Sequence, residues 1–207
     1  MAFPSFFSEV QPIAVHDRLA EFLGAADGGI VEYRYADAVK LAGHSCPTVA
    51  GAYLLTSRAL AALYSDELPE RGEIQVDFRE AQEDGVAGVM ANVIGLITGA
   101  VGVGGFKGIA GHFSRRHLLS FEEIDLPGDI SFTRRDNGQR VTAALHLEHV
   151  APDPRAGPLL QRLLAGERDP VVAEVFATLW QDRVRRILLD HADDPNLVSL
   201  VRDRKRD

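Results

Sequence analysis

The stretch Leu41-Ala42-Gly43-His44-Ser45-Cys46-Pro47 decides how this chain divides into elements. Ala36 to Ala42 reads as one or two helical turns that run into a corner at Gly43. Pro47 suits the first turn of a second helix, where its missing N–H leaves no hydrogen bond unmade. Beyond it Val49, Ala52, Tyr53, Thr56, Ala59, Leu60 and Leu63 recur at intervals of three and four up to Tyr64, which marks one apolar helix face. Alanines at 50, 52, 59, 61 and 62 permit close approach of a neighbouring element. Cys46, the only cysteine, therefore sits at the entrance of a long helix with His44 two positions before it.

Working outward, Ile30 to Tyr35 and Glu73 to Arg79 alternate apolar and polar residues with the period of a half-buried strand. His16 to Leu23 has helical spacing and stops at Gly24. Asp84 to Ile97 reads as a second buried helix with Asp84 as its N-cap. Asn92 is the one polar residue between Val86 and Ile97. A loop carrying Gly99, Gly102, Gly104, Gly105 and Gly108 follows. Its missing side chains permit tight turns and close approach of a ligand. Lys107-Gly108 lacks the order of a phosphate-binding P-loop, and the loop follows a helix rather than a strand. Ile130 to Arg135 and Gln139 to Val150 read as strands joined by an Asn137-Gly138 hairpin turn. Three prolines between Ala151 and Pro158 mark a linker, and Leu159 onward reads as helical, with Asp169 capping the longer helix. The expected architecture is α+β: a core over 1–150, its mixed or antiparallel sheet packed by two buried helices, and a helical C-terminal appendage over 159–207.

A net charge of -8 on 207 residues argues against a nucleic-acid or membrane-surface binder, because phosphates repel an acidic surface. Ser114 to His117 and Arg202 to Arg206 are local basic candidates that read better as solvated surface or partner contacts. One cysteine excludes an intramolecular disulfide. The first residues lack the basic and apolar regions of a signal peptide. The apolar run Val86–Val103 is interrupted by Asn92 and glycines, so a buried helix and loop are expected rather than a membrane span. A cytoplasmic location is the expectation.

Cys46 admits three readings. It is a packed thiol, a nucleophile activated by the helix entrance and a nearby imidazolium, or a metal ligand paired with His44. His44 and Cys46 are the candidate catalytic pair. A metal site needs further ligands, from His16, His112, His117, His146, His149, Asp77 or Asp84. His112, in a segment able to fold back toward the helix entrance, is the first choice. His146 and His149, three apart in a strand, would point to opposite faces. Gly99, Gly102 and Gly104 are the candidate cofactor-binding positions, through backbone N–H groups that would receive a flat or anionic molecule.

Gly43-His44-Ser45-Cys46-Pro47 is followed by a small-residue helix, a strand, an Asp-led helix and Thr98-Gly99. From about Val39 to Phe121 this order resembles the FmdE-like family, which is named for a component of formylmethanofuran dehydrogenase. The resemblance implies a dimerising α+β core with a metal-binding cleft at His44 and Cys46. Thr48 replaces a glycine of the family pattern and Ala100 a second cysteine; the C-terminal zinc ribbon of some members has no counterpart. Three functions are open on these residues. One is a metal-dependent, most simply zinc-dependent, enzyme or metal-handling protein acting on a small molecule. Another is a module for a small ligand or cofactor, haem included. The third is a non-catalytic partner subunit of a redox enzyme, docking through its helical tail. The resemblance also makes a homodimer the expectation.

Overall fold

The structure, a computed structural model, describes residues 3–202. The chain is α+β. Strand β1 (Ile13–His16) pairs antiparallel with β2 (Ile30–Tyr33) across the short helix α1 (Arg18–Phe22). Helix α2 (Tyr35–Ala42) ends at Gly43, whose φ of 77° is the left-handed cap that glycine adopts without steric cost. Helix α3 (Pro47–Tyr64) begins four residues later with Pro47 in its first turn. The corner expected at Gly43–Pro47 is therefore present, with the helix boundaries the residues call for.

The main sheet has the order β4-β3-β5-β6-β7, built from β3 (Ile74–Phe78), β4 (Leu119–Ser120), β5 (Ile130–Arg134), β6 (Arg140–Leu145) and β7 (Val198–Arg202). Only β3 and β4 run parallel, so the sheet is mixed. Ile74, Val76 and Phe78 face the core together with Ile130, Phe132, Val141 and Ala143, as the period-two pattern of β3 requires. On the opposite face Asp77 accepts from Gln75, Ser120 and Ser131 at 2.8, 2.7 and 3.1 Å. Helix α4 (Ala87–Thr98) packs on α3, and these are the two buried helices of the domain. Tyr53, Leu55, Leu60, Ile94 and Ile97 are almost wholly buried, each contributing about 1.5–3 kcal/mol of transfer free energy.

Three local readings need correction. Asp84 does not cap α4; its carbonyl accepts from Ala87 in a turn, and the helix starts one residue after Val86. The strand read as far as Val150 stops at Leu145, because Leu147–His149 form a single tight 3-10 turn. His146 and His149 thus lie on the same side, ring centroids 6.2 Å apart, instead of on opposite faces. The C-terminal segment is helical in α5 (Ala156–Leu164), α6 (Pro170–Arg185) and a π-turn at Arg186–Asp190, but β7 then joins the sheet. Past Arg202, the basic tail expected at 202–206 lies outside the described residues.

Candidate functional site

The corner at Gly43–Pro47 is built almost entirely from internal contacts. The Cys46 sulfur accepts the Val49 N–H at 3.4 Å and caps α3, and the residue is only 9% exposed. Ser45 is the hub. Its hydroxyl lies 2.9 Å from the Tyr35 hydroxyl and donates to Gln181 Oε1 at 3.0 Å, and its carbonyl accepts from Trp180 Nε1 and Gln181 Nε2. These bonds tie the corner to α6. His44 is exposed, and its Nδ1 donates to the Ala42 carbonyl at 3.0 Å, which leaves Nε2 free. His112 lies in the tip of the glycine-rich loop, where its backbone bonds both ways with Ile109 at 2.9 Å and its ring lies beside Phe113. Among the described residues no three His, Cys, Asp or Glu side chains form a group that could hold a metal ion, so His112 does not complete a triad with His44 and Cys46. Asp77 is already engaged by its three donors.

The loop from Gly99 to Leu118 doubles back over α4. Gly95 permits this, because a Cβ there would stand 2.8 Å from the Ala100 carbonyl. The loop is pinned from below by Arg115, whose backbone bonds Phe106 and Val101. The buried Arg115 guanidinium reaches Asp17 at 2.6 Å, and Arg71 holds the other Asp17 oxygen at 2.8 Å. Gly72 makes room for that guanidinium; a Cβ would fall 1.2 Å from its Nη1. Burial pushes the Asp17 carboxyl upward, but the Arg71 hydrogen bond and the Arg115 charge outweigh it and hold it below its ordinary value.

Between this loop and α4 lies an open cleft of about 480 Å³. Its walls are Ala91, Asn92, Gly95 and Leu96 of α4, Ala100 to Gly104 of the loop, Leu119 and Phe121 beyond β4, Gln82, and Leu41 at the end of α2. Among the described residues no charged side chain lines it. Within the same residues the backbone N–H groups of Gly102, Val103 and Gly104 donate no hydrogen bond, and the carboxamides of Gln82 and Asn92 have no partner. Of the expected cofactor-binding glycines, Gly102 and Gly104 are on the wall. Gly99 is not: with φ at 73° it caps α4, packed against Arg71, Gly72 and Arg115. Leu41 brings one end of the corner to the cleft, while His44 and Cys46 stay off its walls. Asn92 and Gln82 are site residues that motif reading missed. Asn92 did carry a signal, as the lone polar group in an apolar helix. Compared with known proteins, the chain matches no family model and no curated protein. No helix among the described residues is long and apolar enough to cross a membrane.

Proposed function

We propose that this chain is a small-molecule-binding protein whose site is the cleft between α4 and the glycine-rich loop. The observation that supports it is a concavity of about 480 Å³ lined mostly by apolar residues and also by residues whose donors make no hydrogen bond within the fold. Unpaired donors on an apolar wall are what a ligand needs for orientation, and the volume falls within the roughly 300–1,000 Å³ of drug-sized sites. Gly102 and Gly104 adopt backbone angles open to any residue, and a Cβ at either meets nothing closer than 3.7 Å. Gly102→Val therefore fills the cleft beside Leu119 without straining the backbone. The test titrates the neutral dye Nile red into wild type, Gly102→Val and an exposed control variant, Glu174→Ala. Enhanced emission in wild type and control but not in Gly102→Val is expected; equal emission in all three removes the reading.

A second reading, zinc at His44, rests on the His44 ring. An imidazole that donates Nδ1–H to a backbone carbonyl has Nε2 prepared for a metal, the arrangement metal-binding histidines use. Cys46, the only thiol, and the family resemblance of the corner favour the same place. The donor set is incomplete, since the sulfur is occupied as a helix cap and no third donor among the described residues joins the pair. Elemental analysis of the purified protein beside His44→Ala decides it: equal zinc content in both excludes this site.

A further inference from the structure

We propose that the cleft selects an uncharged, fused-ring nitrogen heterocycle with an amide edge, a ring system of the nucleobase, pterin or isoalloxazine kind. The proposal rests on the cleft being the ligand site and names the class of molecule it takes.

Charge is the first discriminator. A backbone loop with free N–H groups suggests an anion, yet none of the cations nearby belongs to the cleft. Arg115 is committed to Asp17, the Arg116 Nε donates to the Gly105 carbonyl, and neither Arg116 nor Lys107 lines the wall. An anion brought into an apolar concavity without a counter-charge loses its hydration for little return, and a cation meets no carboxylate there either. A neutral molecule avoids both costs.

Shape and hydrogen bonding narrow the class further. Ala91, Gly95 and Ala100 present no side chain larger than a methyl, which leaves a floor free of branched side chains, and Phe121 lines the same cleft. Such a floor matches a flat ring better than a branched chain. Two unpartnered carboxamides, Gln82 and Asn92, stand at the same cleft. Each sets one acceptor beside a two-proton donor, the pattern that pairs with the adjacent N–H and C=O, or N and NH₂, of a heterocyclic edge. The free N–H groups at Gly102, Val103 and Gly104 add donors for ring carbonyls. A purely aliphatic ligand would fill the walls but leave all of these groups without partners, so it would give up the selectivity they provide.

Lumiflavin is the probe: neutral at pH 7, tricyclic, and fluorescent, so quenching reports binding directly. Asn92 and Gln82 are both exposed, so Asn92→Leu and Gln82→Leu keep bulk and remove hydrogen bonding without touching the core. Wild type is expected to bind lumiflavin. Each leucine variant should bind it about tenfold more weakly while retaining Nile red, as loss of one or two hydrogen bonds implies. If Nile red is bound by wild type and excluded by Gly102→Val but lumiflavin is not bound, the heterocycle class is overturned and the cleft stands. If neither probe binds, both readings fall. Lumiflavin binding that is equal in wild type, both leucine variants and Gly102→Val also overturns the proposal, because the probe then sits elsewhere.

Discussion

Asp17 receives an arginine at each carboxylate oxygen, Arg71 at 2.8 Å and Arg115 at 2.6 Å, and Asp17 Oδ1 also caps α1 through the N–H groups of Leu19 and Ala20. Removing its charge strands two guanidinium groups, one of them buried, and costs about 3–5 kcal/mol. Asp17→Asn preserves the cap and so isolates the ionic part; Asp17→Ala should cost about 1 kcal/mol more. Urea unfolding at neutral pH measures both. Because the folded Asp17 carboxyl lies below its ordinary value of 3.8, its contribution is complete above that value and is lost as pH falls through the folded one. Acid destabilisation should therefore be shallower in Asp17→Asn than in wild type. His16, next in the chain, behaves in the opposite sense. A hydrogen bond to Glu70 at 2.7 Å outweighs the effect of burial, Glu21 adds to it, and the ring is held above its ordinary value of 6.5. Its contribution is complete below pH 6.5 and is lost as pH rises through the raised value. The urea midpoint should accordingly fall as pH rises above 6.5, and this fall should be smaller in Glu70→Gln, where Glu21 alone remains beside the ring. A midpoint indifferent to pH in wild type would contradict the pairing of His16 with Glu70.

At the scale of elements, the corner between α2 and α3 shows what sequence could and could not reveal. Gly43 and Pro47 mark the end of one helix and the start of the next because each acts through its own backbone, a local property. The same holds for β3, whose alternation from Ile74 to Phe78 reports a sheet with one face in the core, and for the Asn137-Gly138 turn. Ser45 had no local signal, since its partners Trp180 and Gln181 lie far along the chain. Asp84 misled because its backbone is taken up in the turn from Ala81 to Ala87, and the helix begins only after Val86. The cleft was half legible: the glycines suggested a wall, but only the fold shows which of them face it and which, like Gly99 and Gly72, are spaces for Arg115. A cysteine at a helix entrance likewise invites a reactive reading, whereas here its sulfur takes a serine-like role. Cys46→Ser should thus leave stability within about 0.5 kcal/mol of wild type, and Cys46→Ala should lose about 1–2 kcal/mol through the cap and the small void. Should the alanine variant match wild type in urea, the sulfur is not acting as the cap of α3.

The whole molecule contains two levels of packing. Val184, Ile187, Leu188, Leu197 and Val198 belong to the same core as α3, α4 and the main sheet, so the last part of the chain is integral to the fold. The hairpin of α5 and the first turns of α6 is different. Its buried apolar residues, Ala156 and Val172, stand outside that core, and Leu164 and Val171 are exposed. Polar bonds join the hairpin to the rest, Trp180 and Gln181 to Ser45 and Arg183 to the carbonyls of Leu147 and Val150 at 2.9 and 2.7 Å, and the Trp180 side chain also packs against the core. Few buried apolar contacts mean a low free energy of local opening, while amides of α3, α4 and β5, deep in the core, are expected to exchange only through global unfolding. Hydrogen exchange should therefore show α5 and the start of α6 losing protection first, with β6 and β7 retaining it. Trp180→Phe removes one donor to Ser45 and, at about 1 kcal/mol per hydrogen bond, should speed exchange in the hairpin several-fold and leave α4 unchanged. Uniform exchange across α5, α6 and α4 in wild type would mean that the hairpin unfolds only with the core, and that the clamp at Ser45 is not the boundary between the two levels.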